Sequence, residues 1–184
     1  MYCNAEAVPQ KLLPYAYLLA EMIGAVDTQK HSYAELTNRI NLHTGGIAYA
    51  LMAYTEEGRP DSCVPKFRIK ARVLVKKLPK LAELLQEILL SSVFTDKKRV
   101  FELVQQTRVA LEADFMNSAH QAMAARLASY IKPTAAYNEE GEIPFYYFVR
   151  ELSEHFEQQY EQVCSAFAEL VPMLFNRKGL IMSV

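Results

Sequence analysis

The feature that most constrains this chain is an apolar segment near its N-terminus. Residues 12–25, LLPYAYLLAEMIGA, carry a single charge, at Glu21. A helix that is apolar on all sides has to be covered on most of its surface. The rest of the chain is therefore expected to wrap this helix, which spans 9–25. Pro14 is tolerated only near a helix start, so the regular part begins at Leu12 or Leu13. Gly24 loosens its end, and Val26-Asp27-Thr28 breaks it. Ser32-Tyr33-Ala34-Glu35 then has the spacing of a capping box and opens a helix running to about Leu42. Gly45-Gly46 permits a tight turn or bulge leading into a strand.

Residues 47–55 are expected to form that strand. Gly58, Pro60, Asp61 and Pro65 make 56–65 a loop. Over 66–77 the residues alternate. Phe67, Ile69, Ala71, Val73 and Val75 share one side, while Lys66, Arg68, Lys70, Arg72 and Lys76 share the other. Leu74 is the exception. This is the pattern of an antiparallel strand with one wet face, and the two strands suggest a hairpin. From Leu78 the period becomes helical, through Leu81, Leu84, Leu85, Ile88 and Leu89. A helix over 96–115 places Val100, Leu103, Val104, Thr107, Leu111 and Phe115 inward. A second, over 117–131, runs through Ala119, Ala122, Met123, Leu127 and Tyr130, and its alanines would allow close packing. Lys132-Pro133 ends it. An acidic loop over 134–142 precedes helices over 143–153 and 156–171. Phe148, Leu152, Tyr160, Val163, Phe167 and Leu174 are their expected core positions. Pro172 distorts or ends the last helix, and Gly179 opens a final strand over 180–184. The order implies an α+β fold, an antiparallel sheet with helices packed on one face.

The 184 residues suffice for one domain with a sizeable core. A net charge of -1 gives no global attraction to nucleic acid or anionic membrane. Glu21 and Asp27 interrupt the longest apolar run, so no membrane span is expected. Met1-Tyr2-Cys3-Asn4 has neither the basic start nor the apolar core of a secretory signal. Cys3, Cys63 and Cys164 lack metal-ligand spacing and are odd in number, which suits a reducing compartment; a cytoplasmic location is expected. His31, His43, His120 and His155 are scattered and are expected at surface or capping positions. Cys164 lies on an apolar helical face and is expected in the core. No nucleophile elbow and no glycine-rich phosphate loop is present.

The order of apolar helix, Asp27-Thr28 break, short helix, small-residue turn and strand resembles the insulinase/pitrilysin-type zinc metallopeptidases, and the strongest local match is Leu36 to Ile47, with Thr44-Gly45-Gly46-Ile47 at its end. The presequence-protease branch is the most similar. The resemblance extends to Leu174-Phe175-Asn176-Arg177 and to the final Gly179–Val184 stretch. In an active domain of that family the buried helix carries His-x-x-Glu-His. Two imidazoles on one helix face hold zinc, a distant glutamate completes the ligands, and the motif glutamate activates water. Here Leu18-Leu19-Ala20-Glu21-Met22 falls on the motif. The glutamate is present and both histidines are absent. Neither Leu18 nor Met22 replaces imidazole as a zinc ligand. Glu112 matches the distant glutamate, at a longer spacing.

The resemblance implies one non-catalytic domain over 1–184, cut from the C-terminal half of a longer enzyme. It implies no metal in this domain and zinc in the parent's catalytic domain. The other implied partners are the parent's remaining domains and peptide substrates. In such enzymes two halves close around a chamber, and Lys66, Arg68, Lys70 and Arg72 would form a basic wall there. Such a wall favours acidic peptide segments, against the basic presequences for which the branch is named. The plain alternative is a solvated sheet face, and for Glu21 a carboxylate reaching solvent or a basic partner. Met1–Val8 is shorter than the strand expected before the buried helix, so a bare sheet edge open to homo-oligomerisation is anticipated. Two rival functions remain open. One is a stand-alone adaptor or dimerisation domain of the same fold. The other is an enzyme using Glu21 and Glu112 as an acid–base pair.

Overall fold

The computed structural model describes residues 1–183. The fold is α+β, and its sheet is antiparallel with strand order β1-β3-β2: β1 is Tyr2–Asn4, β2 is Ile47–Glu56 and β3 is Arg59–Ala71. Among the described residues, seven α-helices complete it: α1 Leu13–Met22, α2 Tyr33–His43, α3 Leu78–Ser91, α4 Lys97–Ser129, α5 Pro133–Glu139, α6 Ile143–Glu154 and α7 Phe156–Leu174.

α1 is the buried helix that its composition demands. Leu18, Leu19 and Met22 are completely inaccessible, and Ala16 lies with them in the core. A single 3-10 turn, Gln10–Leu12, precedes it, and Pro14 sits in its first turn, where no backbone N–H is needed. The helix is shorter than 9–25 and ends at Met22. Phe67 and Ile69 of β3, with Leu51 of β2 and Cys3 of β1, form the inner sheet face packed toward the helices. Phe67 meets Phe175 edge-on at 5.2 Å, and Tyr15 meets Phe148 at 4.9 Å. Each large side chain buried this way contributes about 1.5–3 kcal/mol. The capping box forms in full: Ser32 Oγ accepts from the Glu35 N–H, and the Glu35 carboxylate accepts from the Ser32 N–H.

The expected loop over 56–65 is instead mostly strand. β2 and β3 are joined at Glu57-Gly58, where Gly58 has φ +77° and supplies the left-handed residue of the turn. Pro60 and Pro65 both lie inside β3. Pro65 faces Ala53 in register, and its carbonyl accepts from the Ala5 N–H at 3.1 Å. Its missing N–H falls on the side of β1, just where that short strand ends, so little pairing is lost. The expected strand over 66–77 stops at Ala71. Arg72 makes the last ladder bonds, with Gly45 and Gly46, and residues 73–77 have no strand left to pair with. Val75–Lys77 forms a 3-10 turn into α3.

The helices expected over 96–115 and 117–131 are one continuous element, α4, broken by non-helical angles at Ser118. Its first half packs through Val100, Leu103, Val104 and Thr107 as expected. The second half does not. Met123, Leu127 and Tyr130 point to solvent, and the half-buried Ala122 and Ala125 lie on the opposite side. The acidic loop over 134–142 contains α5, with Pro133 in its first turn. α7 runs past Pro172 for two residues, to Leu174. The final strand over 180–184 reduces to a bridge in which Tyr2 and Ile181 exchange two backbone hydrogen bonds, of 2.8 and 2.9 Å; Val184 lies outside the described residues. That bridge covers part of the outer edge of β1. On the edge of β2, the Asn138 side chain accepts from the Ala53 N–H at 2.7 Å and donates to the Ala53 carbonyl.

Candidate functional site

Two places carry the residues singled out by sequence. The first is the end of α1. Leu18 and Met22, at the two histidine positions of the resemblance, are wholly buried core residues. Glu21 is exposed and turns from the core toward α4. Its carboxyl lies above the ordinary range, first because of its crowded surroundings and then because of Asp114. Glu142 is raised likewise by burial, by Asp114 and by Glu139. Asp114 and Glu142 line a cavity of about 480 Å³ with Leu111, Phe115 and Ser118. Glu112 is held elsewhere: its Oε1 accepts from Arg108 Nε at 3.0 Å and from the Tyr146 hydroxyl at 3.3 Å. The carboxylate acting on Glu21 is thus Asp114, two residues along the same helix and pointing differently. Among the described residues, no three of His, Cys, Asp or Glu are grouped to hold a metal ion. The leucine and thioether at the motif positions do not fit zinc chemistry.

The histidine expectation needs one amendment. His31 Nδ1 lies 2.7 Å from Glu87 Oε1, and the Thr28 hydroxyl donates to the same oxygen at 2.6 Å. Burial alone would push the Glu87 carboxyl up. The two hydrogen bonds outweigh it and leave the group below its ordinary value. The available signal was a lone acid on the apolar face of α3, beside Leu84 and Ile88.

The second place is the outer face of the sheet, which carries no helix among the described residues. Lys66, Arg68 and Lys70 project there from β3, and Arg72 continues the row just beyond its end. Lys66 Nζ donates to Asn4 Oδ1 at 2.8 Å. Among the described residues, none of the four cations has a salt-bridge partner. Across the ladder, Ala50 faces Arg68 and Ala48 faces Lys70. These small neighbours leave the long cationic side chains room to lie over β2. Tyr2 and Tyr54 pack edge-on at 5.8 Å, and the Tyr54 hydroxyl donates to Met52 Sδ. Beyond Ala48 and Ala50 is the edge of β2. Because Ala53 points its N–H outward, the alternation of an antiparallel ladder turns Ile47, Tyr49 and Leu51 outward too. Their N–H and C=O groups have no partner among the described residues. No described helix is long and apolar enough to cross a membrane.

Residues 1–152 match the family described as peptidase M-16C associated, and the chain belongs to that family. Its relatives place it with the presequence-protease branch of the insulinase/pitrilysin-type metallopeptidases. It is 25% identical over 183 residues to "Protein HypA" of Clostridium perfringens, covering 99% of this chain and 19% of that protein. It is 23% identical over 179 residues to presequence protease 1, chloroplastic/mitochondrial, of Arabidopsis thaliana, covering 97% of this chain and 16% of the relative. A mitochondrial presequence protease of Yarrowia lipolytica is 22% identical over 177 residues, 95% of this chain and 18% of its own. The chain therefore spans under a fifth of the length of these relatives.

Proposed function

We propose that this chain is a non-catalytic domain of a presequence-protease-like zinc peptidase, where it helps enclose peptides while another domain carries the zinc. The observation that carries this reading is the basic row Lys66, Arg68, Lys70 and Arg72, which has no salt-bridge partner among the described residues and lies beside the free edge of β2. An extended peptide placed along β2 would take its main-chain hydrogen bonds from Ile47, Tyr49 and Leu51. Its alternate side chains would pass over Ala48 and Ala50, and acidic ones would meet Lys70 and Arg68. The wall thus favours acidic peptide segments by attraction that salt screens. The packing of Leu18 and Met22 into the core supports the non-catalytic part of the reading. The turn of Glu21 toward Asp114, a like charge rather than a metal partner, supports it as well.

Fluorescence anisotropy with labelled extended peptides tests it. An acidic peptide is expected to bind more tightly than a basic one, to weaken with salt, and to be lost in Arg68→Glu/Lys70→Glu. Equal binding of both peptides, or acidic-peptide binding that survives this charge reversal, contradicts the proposal.

A further inference from the structure

The edge of β2 is closed at one place by a side chain of α5. Asn138 Oδ1 accepts from the Ala53 N–H at 2.7 Å, and Asn138 Nδ2 donates to the Ala53 carbonyl at 3.3 Å. A carboxamide carries the donor and the acceptor of a peptide group. Asn138 therefore makes with Ala53 the pair of bonds that a residue of an added antiparallel strand would make. Two residues further along the edge, the Thr134 hydroxyl donates to the Ser62 carbonyl at 2.9 Å, and its oxygen lies 2.9 Å from Thr55 Oγ1. α5 is fastened in this position from two other elements. The Tyr17 hydroxyl of α1 donates to the Tyr137 carbonyl at 2.8 Å, and Arg126 of α4 donates to the Glu139 carboxylate at 2.9 Å. Asn138 stands between these two anchored residues. At the other end, Gly46 has φ +107° and turns the chain out of the strand just before Ile47.

We propose that Asn138 is the stop of the peptide site and sets its length: an added segment pairs over residues 47–51 and ends against the Asn138 carboxamide. This inference rests on the reading of the β2 edge as a place for extended peptides. A segment lying opposite 47–51 holds about five residues. Its main chain bonds to Ile47, Tyr49 and Leu51, and its second and fourth side chains fall over Ala48 and Ala50. Those two positions lie across the ladder from Lys70 and Arg68. The substrate class is therefore a short extended segment with two acidic residues spaced two apart. Chain beyond this window gains no further main-chain bond. On one side it would have to displace a pair of bonds that the anchored α5 already holds, and on the other the partner strand has turned away.

A length series of end-capped peptides tests the inference on the full chain. Peptides of three, five and seven residues carry the same two glutamates, two apart, and are lengthened with alanine at both ends. Affinity is expected to rise from three residues to five and to stay level at seven. Amide hydrogen exchange should slow at Tyr49 and Leu51 when the five-residue peptide binds, with Ala53 unchanged. Asn138→Ala opens the edge at Ala53. The seven-residue peptide should then bind about fivefold more tightly than the five-residue one, the scale of one main-chain hydrogen bond. It should also slow exchange at Ala53. Should the variant lose its melting transition, the length series and the exchange pattern of the parent protein decide the point by themselves. A seven-residue peptide that binds the parent about fivefold more tightly than the five-residue one overturns the stop. So does a folded Asn138→Ala that binds both peptides alike. Failure of all three peptides to bind overturns the peptide-edge reading itself, and the stop with it.

Discussion

The Thr28 hydroxyl donates to the buried Glu87 carboxylate at 2.6 Å, tying the segment after α1 to the middle of α3. His31 reaches the same oxygen, and the Thr28 hydroxyl also accepts from the His31 N–H at 2.9 Å. The capping box of α2 begins one residue later, so this knot sets where α2 starts.

Glu87→Ala should destabilise the fold by about 1–3 kcal/mol, because it strands the buried Thr28 hydroxyl and removes the partner of the half-buried His31. The Glu87 carboxyl is held below its ordinary 4.5. Its stabilisation is therefore present above that value and is lost as pH falls through the lower folded-state value. Chemical denaturation of parent and variant across the acid range checks this. The difference between them should shrink only at acid pH.

Asp114→Asn should have the opposite sign. Glu21 and Glu142 are both raised, with Asp114 among the causes. A raised carboxyl favours the fold below its unfolded value, and that contribution is lost as pH rises through the folded-state value. Removing the Asp114 charge should stabilise the protein near neutrality by about 0.5 kcal/mol, the scale of exposed charge pairs. The gain should disappear on acidification towards 4.5, the ordinary value of both groups. Paired thermal melts at neutral and acid pH measure it.

Gly141→Ala should cost about 1–3 kcal/mol. A Cβ there would run into the ring of Tyr17, which cannot retreat because its hydroxyl donates to the Tyr137 carbonyl at 2.8 Å. Gly46→Ala is a useful comparison, since a Cβ there meets nothing within 4 Å. Its cost comes from its positive φ alone. Melting temperatures of the two variants, set beside the loss of near-ultraviolet tyrosine signal, separate collision from backbone strain.

Leu18→Ala should cost about 2–5 kcal/mol, the range for a large core side chain cut to alanine. Leu18 is 0% exposed at the centre of α1. A denaturation midpoint unchanged from the parent would place Leu18 outside the core.

The parts of the fold legible in the sequence are those fixed by local pattern. The all-apolar character of α1 dictated its burial, and Ser32 with Glu35 announced the start of α2. The alternation from Lys66 to Lys70 gave β3 its two faces. Pro60 and Pro65 misled because a proline is compatible with a strand when the neighbour on its N–H side is short or absent, and that is a property of the sheet. Residues 73–77 kept an alternating pattern after their pairing partner had run out. The apolar stripe through Met123, Leu127 and Tyr130 was visible, but a helical period does not say whether anything covers the stripe. In the candidate site, the loss of imidazoles at Leu18 and Met22 was plain. The choice between Glu112 and Asp114 was not, because two steps along a helix turn a side chain by about 200°. The sequence spacing could not decide which one faced Glu21.

The central claim is that the α1 motif is packed as core and has no catalytic role. The direct measurement is zinc content of protein purified without chelator, together with cleavage of a quenched fluorescent peptide in added zinc. The account predicts less than stoichiometric zinc and no turnover. Stoichiometric zinc with zinc-dependent cleavage that Glu21→Gln abolishes would contradict it.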